Sequence, residues 1–449
     1  MSSVRSEFNK DFVFGVATAA YQIEGSKFGD CGESIWDHFA KNGGTANGDN
    51  GSLACDHFHR FEEDLDLLVD AGFDAYRFSF SWSRLFPDGK NLNIKGLDFY
   101  KRLLDAINSR GLRPYGTAYH WDMPQELGLL GGWTVRENAE RFGEYMGFIA
   151  RNFGSDLENL VSINEPWCVA WLSHYLGEHA PGLQDLSRAA KASHYVCLAH
   201  GLGVQAARAE TEKPIGIVLN FTPGRLKKDS QRNTASLEDY EAITNTWYLS
   251  AVTKGEYPDA ALRKIGSHLP ENWLDDMDVI NQPINFIGIN YYTTVMLEAG
   301  GKDFPFTKTV DRNLPKTDMG WEVEPKGLTD AINLVSDYAP GLPLYITENG
   351  MASKNTITDS DRIEYYQDHL EEVAMAAKTL PIKGYFAWSL LDNFEWAFGY
   401  TKRFGIVHVD FETQKRTKKD SFKWWQSELV RPSKSVSYTH LTLPTKRIV

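Results

Sequence analysis

Two segments of the chain share one pattern, an apolar run that ends in a glutamate. Residues 160–167 read Leu-Val-Ser-Ile-Asn-Glu-Pro-Trp, and residues 344–350 read Leu-Tyr-Ile-Thr-Glu-Asn-Gly. Such runs predict buried parallel strands, which the proline or the Asn-Gly pair then ends. A buried carboxylate is costly to desolvate, so each glutamate needs a partner or a function. Only a fold that gathers strand ends at one rim brings Glu165 and Glu348 together.

Eight segments of this kind alternate with helical patterns along the chain. Apolar residues between them recur at helical spacing, as at Phe61, Leu65 and Leu68. This alternation predicts a single α/β domain, a (β/α)₈ TIM barrel with long βα loops, over residues 1–436. We expect residues 437–449 to be a disordered or extraneous tail. The predicted strands are 12–18, 74–79, 113–119, 160–165, 215–219, 286–291, 344–347 and 384–388.

A pair of carboxylates at one rim points to a specific reaction class. Glycoside hydrolysis uses two such groups, one as acid/base and the other as nucleophile or base. The strand ends of a (β/α)₈ barrel all open onto the face where active sites lie. We therefore expect Glu165 and Glu348 to form a catalytic pair.

The composition narrows the range of partners. A net charge of -13 argues against nucleic acid and anionic membrane surfaces, which both require a basic footprint. The four cysteines form no CxxC motif, which favours reduced thiols. Residues 1–10 are polar, and no apolar run reaches about 18 residues. We expect a cytoplasmic protein that acts on small molecules.

Several independent motifs, in order, resemble glycoside hydrolase family 1, the β-glucosidase and β-galactosidase family. The resemblance extends from about Phe12 to Trp425, and the tail from Ser437 matches nothing expected of the family. It implies a retaining, exo-acting β-glycosidase that needs no cofactor and no metal. The motifs are Phe-Gly-Val-Ala-Thr-Ala at 14–19, Tyr-Gln-Ile-Glu-Gly at 21–25, Tyr-Arg-Phe-Ser at 76–79, Asn-Glu-Pro at 164–166, Asn-Tyr-Tyr at 290–292, Ile-Thr-Glu-Asn-Gly at 346–350 and Trp-Ser-Leu-Leu-Asp-Asn at 388–393.

The resemblance assigns a role to each matched residue. Glu348 is implied to be the nucleophile and Glu165 the acid/base. Arg77, Asn290 and Tyr292 are implied to support them. The residues implied to bind the sugar are Gln22, His120, Trp121, Asn164, Tyr292, Trp388, Glu395, Trp396 and Phe404. Those implied to lie on the leaving-group side are Trp167, Asn220 and Trp321.

Some alternatives stay open at this point. One alternative is a 6-phospho-β-glycosidase, which typically has a small residue at the position of Glu395. The negative charge of Glu395 disfavours a phosphate, whereas the nearby Lys402 would favour one. Glu165 argues against a plant-type thioglucosidase, and the presence of both glutamates argues against an inactive sugar-binding barrel. Transglycosylation uses the same intermediate as hydrolysis. The sequence does not rank glucose, galactose and fucose, and it leaves the oligomeric state undetermined.

Overall fold

A computed structural model describes residues 3–228, 230–301 and 307–430 of the chain, and its central feature is a closed barrel of eight parallel strands. Each strand pairs with its neighbours in the sequence, and β1 closes the barrel against β8. The predicted (β/α)₈ fold is therefore confirmed. The strands are β1 (Val13–Ala17), β2 (Ala75–Ser79), β3 (Arg113–Tyr119), β4 (Asn159–Asn164), β5 (Ile215–Phe221), β6 (Phe286–Tyr291), β7 (Leu344–Asn349) and β8 (Ile382–Trp388).

Helices surround the barrel and fill the connections between its strands. Amphipathic sequences form the longer ones, whose apolar faces pack on the strands. The α-helices of the described residues are Ala20–Ile23, Ile35–Lys41, His57–Ala71, Trp82–Leu85, Ile94–Ser109, Gln125–Leu129, Arg136–Phe153, Leu186–Arg208, Gln231–Glu241, Trp247–Lys254, Asp259–Ile265, Met277–Ile280, Lys326–Tyr338, Ser360–Ala376 and Asp420–Glu428. Two π-helical segments, Cys168–Leu172 and Ala242–Thr246, interrupt this pattern.

The loops at the strand ends carry short strands of their own. Gly224–Leu226, Val295–Ala299 and Thr307–Val310 form a three-stranded sheet beyond β5 and β6. Val407–Val409 pairs with Arg416–Lys418 after β8. The long βα loops expected of the barrel are thus partly structured after β5 and β6, on the face where loops usually carry binding groups.

Neighbouring residues of β1 belong to two separate apolar clusters. Phe14 of β1 packs in a large cluster that includes the helices, whereas Val13 and Ala17 pack with Phe386 in a cluster without helical residues. The second cluster therefore lies inside the barrel. A Cβ atom on Gly15 would come within 2.3 Å of the Phe386 ring, so a glycine is required there.

The structure moves three predicted strand boundaries at the rim. Glu348 lies within β7, at a register irregularity against β6, and not just beyond the strand. Asn220 was expected after the fifth strand, but it lies inside β5, opposite Asn290. Glu165 directly follows β4. The predicted tail, residues 437–449, lies outside the described residues, and none of the helices that the structure describes is long and apolar enough to cross a membrane.

A buried ion pair fixes the loop that follows β8. The Lys419 ammonium donates to Asp392 at 2.7 Å, and both side chains are fully buried. Arg403 and His408 approach the second oxygen of Asp392. Asp392 also accepts the backbone N–H of Gly405, so the pair connects the loop with the C-terminal segment.

We expect Lys419→Ala to destabilise the protein by about 3 kcal/mol at pH 7. Removing one partner of a buried pair leaves an uncompensated charge, which costs about 3 to 5 kcal/mol, and the remaining partners of Asp392 hold the loss near the lower end. Denaturant titration measures this loss in the free energy of unfolding. Lys423→Ala breaks only an exposed pair with Asp420 and is the control. Equal midpoints for the two variants would contradict the assigned role of Lys419.

Candidate active site

The carboxyl ends of the barrel strands bring the predicted catalytic residues together. Arg77 comes from β2, Asn164 from β4, Asn290 from β6 and Glu348 from β7, while Glu165 directly follows β4. All five side chains are buried, and none is more than 6% exposed. The closed strand order is what unites them, because residues distant in sequence end at one rim.

Two donors hold the Glu348 carboxylate. Arg77 Nη1 lies 2.6 Å from Oε1, and the Tyr292 hydroxyl lies 2.6 Å from Oε2. Arg77 also donates to the backbone oxygen of Thr347 at 3.2 Å. A guanidinium can only donate hydrogen bonds, and its positive charge favours the charged form of an adjacent carboxylate. The arrangement keeps Glu348 as an oriented anion.

Glu165 occupies a different environment. Its backbone has a φ of 50°, an uncommon value for a residue other than glycine, and its N–H donates to the backbone oxygen of Val218 at 2.9 Å. Oε1 accepts from Asn290 Nδ2 at 2.7 Å, and Oε2 accepts from Cys168 Sγ at 3.2 Å. Burial, and then the charge of Glu348, raises the pKa of Glu165 to about 7.

A chain of amides connects the two carboxylates. Arg77 Nη2 donates to Asn164 Oδ1 at 2.6 Å, and Asn290 Nδ2 donates to the same oxygen at 3.1 Å. Thr347 fixes the other end of Asn290 by donating to Oδ1 at 2.7 Å. Asn164 Nδ2 faces His120 Nε2 at 3.2 Å. Burial and the Arg77 charge hold the pKa of His120 well below its usual range, so the ring is neutral and Nε2 is the acceptor.

The predicted sugar-binding residues line the space beside this network. Gln22 Nε2 donates to Asn393 and Phe394 and lies 3.5 Å from Glu395 Oε2. Burial, followed by the charges of Glu348 and Glu165, raises the pKa of Glu395 to about 8. Gln22 Oε1 and His120 Nδ1 are buried and have no hydrogen-bond partner among the described residues. Buried polar atoms are normally paired, so these two are suited to meet ligand hydroxyls.

Four aromatic rings pack into one wall beside these polar groups. The His120 ring stacks at 6.0 Å on both Trp388 and Trp396, and Trp121 lies 4.6 Å from Trp396. The Trp121 indole donates to the backbone oxygen of Asn164 at 2.9 Å, which connects this wall to the catalytic network. Broad apolar faces next to directed polar groups suit a pyranose ring, which has both kinds of surface.

Comparisons with known proteins identify the family. The profile of the glycosyl hydrolase family 1 matches residues 4–433. The chain belongs to this family. It is 42% identical to beta-glucosidase A of Thermotoga maritima over 94% of this chain and 97% of that protein. It is 41% identical to a bifunctional beta-D-glucosidase/beta-D-fucosidase of Bifidobacterium breve, covering 93% and 97% of the two chains. The structure of the Thermotoga maritima beta-glucosidase in complex with deoxynojirimycin matches at a TM-score of 0.91, 42% identity and coverage of 94% and 98%.

Family 1 membership confirms the resemblance derived from the motifs. The role of each residue stays a prediction, and the contacts of the three residues expected on the leaving-group side differ. Trp321 packs at 5.4 Å on Tyr292, which donates to Glu348, and at 6.2 Å on Phe404. Asn220 is adjacent to Asn290 only through strand register. Trp167 follows Pro166 and packs against the large core cluster.

Two further side chains near the site have contacts that the motifs did not indicate. Lys402 donates to the backbone oxygen and the carboxylate of Asp318, at 2.6 and 3.2 Å, and is therefore engaged in an ion pair. This pair weakens the case for a phosphate subsite. Cys168 contacts Glu165. The spacing of three residues, typical of neighbours on one helical turn, was the only sign of this contact in the sequence.

The pKa of Glu165 predicts the pH dependence of the family 1 reaction. If Glu165 must be protonated to act, kcat/KM for an alkyl β-glucoside falls about tenfold per pH unit above pH 7. A dinitrophenyl β-glucoside needs little protonation of its leaving group and is the control. Its kcat/KM should stay nearly constant over this range, and an equal decline for both substrates would contradict the acid role.

Proposed function

We propose that this protein is a retaining, exo-acting β-glucosidase that hydrolyses terminal β-D-glucosyl residues, with side activity on β-galactosides and β-fucosides. The observation that carries the proposal is the contrast between the two carboxylates. Glu348 is held as an anion by Arg77 and Tyr292, while the pKa of Glu165 is raised to about 7. An anionic nucleophile beside a protonated acid is what double displacement requires.

In the first step, Glu348 attacks the anomeric carbon while Glu165 gives its proton to the glycosidic oxygen. A covalent glycosyl-enzyme forms, and the aglycone leaves as an alcohol. Asn164 is placed to meet the sugar 2-hydroxyl, an interaction that strengthens as charge develops on the ring. Its orientation is fixed by Arg77 and Asn290, so little reorganisation is needed.

In the second step, Glu165 must become a base. The charge of Glu348 contributes to the raised pKa of Glu165, and that charge is lost once Glu348 forms an ester with the sugar. The pKa of Glu165 then falls, and the carboxylate takes a proton from the attacking water. Water releases the sugar with its β-configuration retained, and both carboxyl groups return to their starting states.

The substrate class follows from the polar groups at the sugar end. Gln22 and Glu395 are adjacent, and the uncommitted Gln22 Oε1 and His120 Nδ1 offer an acceptor and a donor for ring hydroxyls. We infer that β-glucosides and short oligosaccharides such as cellobiose are substrates. Support comes from relatives named as beta-glucosidases and from one named as a bifunctional glucosidase and fucosidase.

We also propose that the protein acts in the cytoplasm. Cys31, Cys55, Cys168 and Cys197 are all free, which suits a reducing compartment. Assay of β-glucosidase activity in separated cytoplasmic and exported fractions tests this, and activity confined to the exported fraction would contradict it.

The test of the proposed function is nitrophenol release from β-glucosides, β-galactosides, β-fucosides and 6-phospho-β-glucosides. We expect turnover of the neutral sugars and a loss of at least about a thousandfold in Glu348→Gln, because that change removes the nucleophile but keeps its shape. Glu371→Gln, on the exposed face of the Ser360–Ala376 helix, is the matched control. Turnover of only the phosphorylated substrate, or normal activity of Glu348→Gln, would overturn the proposal.

A further inference from the structure

Cys168 contacts the carboxyl group proposed as the acid/base. It is the first residue of the π-helical segment Cys168–Leu172, which begins three positions after Glu165, and its side chain is buried. The Sγ atom lies 3.2 Å from Oε2 of Glu165, within the range of a sulfur hydrogen bond. Single π-turns often occur at functional sites. Here the thiol of the first residue of the turn faces the carboxyl group.

The donors around Glu165 determine which of its oxygens carries the proton. Arg77 can only donate, so Asn164 Oδ1 is an acceptor, and the group of Asn290 that approaches it must be the amide nitrogen. The same nitrogen donates to Glu165 Oε1. Oε1 is therefore always an acceptor, and the acid form of Glu165 holds its proton on Oε2, the oxygen next to Cys168.

We propose that Cys168 is a positioning residue for general acid/base catalysis, whose thiol orients Oε2 of Glu165 in both of its protonation states. The inference rests on the proposed function of Glu165. A thiol is a weak donor and a weak acceptor. It can accept weakly from the carboxylic acid and donate weakly to the carboxylate, so it orients the oxygen without competing strongly with the substrate for the proton.

The proton balance of the cycle is the same with and without this contact. In the first step, the proton on Oε2 moves to the glycosidic oxygen, and the S–H group then turns to donate to the new carboxylate. In the second step, Oε2 takes a proton from water, and the S–H group turns away. No proton leaves the sulfur, and burial raises the pKa of Cys168 well above its ordinary value, so the group stays a thiol.

The hydrogen-bond role predicts opposite effects for two substitutions. Cys168→Ala removes a donor to the carboxylate, so the basic limb of kcat/KM should move to higher pH by about half a unit. Cys168→Ser supplies a stronger donor, so the limb should move below that of the unsubstituted enzyme. Cys168→Ala should also lose about fivefold in kcat/KM on alkyl β-glucosides but less than about twofold on dinitrophenyl β-glucoside, and Cys168→Ser should recover most of this loss.

The experiment measures pH profiles of kcat/KM on both substrates for the two variants and for Cys31→Ala. Cys31 has no contact with Glu165 among the described residues, and its thiol donates to the backbone oxygen of Gly32, so this control should keep the original profile. Limb shifts in the same direction, or equal losses for Cys168→Ala and Cys168→Ser, would show that Cys168 only fills space and would overturn the inference.

A parallel Glu165→Ala variant separates this inference from the proposed function. If Glu165 is the acid, that variant loses far more activity on alkyl than on dinitrophenyl β-glucosides. Selective loss in Glu165→Ala together with unchanged profiles for the Cys168 variants would overturn only the role of Cys168. Equal losses on both substrates in Glu165→Ala would overturn the proposed function itself.

Discussion

The buried guanidinium of Arg77 is the interaction on which the site depends. It donates to Glu348, to the backbone oxygen of Thr347 and to Asn164, so it connects β2 with β7 and β4 at the barrel rim. Because arginine cannot accept a hydrogen bond, it sets the direction of every amide that follows it. The orientation of Asn290, and through it the proposed protonation site on Glu165, results from this cation together with the hydroxyl of Thr347.

The carboxyl groups around Arg77 outnumber its single positive charge, and this excess determines the electrostatics of the site. Three carboxyl groups, Glu165, Glu348 and Glu395, lie near a single buried arginine, and Arg77 bonds directly to only one of them. The pKa values of the other two are raised, to about 7 and about 8, by burial and by the charge of Glu348. One anion and two neutral acids can share a small pocket, whereas three anions could not. The same coupling underlies the two successive roles proposed for Glu165.

The sequence alone was sufficient to predict the architecture. Apolar runs alternating with helical patterns predict the barrel, and two strands that end in glutamate predict which residues meet at its rim. The predicted ends of β5 and β7 were too early, because the polar residues Asn220 and Glu348 continue these strands beyond the apolar run. Contacts set by loops and turns were not predictable. The Lys402 pair with Asp318 joins separate loops. The spacing of Cys168 from Glu165 indicates that the two residues are neighbours, but it does not indicate that the thiol meets the carboxyl group.

The assignment of Glu348 as the nucleophile is tested most directly by trapping the glycosyl-enzyme with a 2-deoxy-2-fluoro-β-glucoside that has a good leaving group. Peptide mass spectrometry then locates the added sugar. The fluorine slows both steps, and the good leaving group lets the covalent species accumulate. We expect one sugar per chain, attached to Glu348. Attachment to Glu165 or Glu395, or inactivation without a covalent sugar, would contradict the assignment of Glu348 as the nucleophile that Arg77 holds in place.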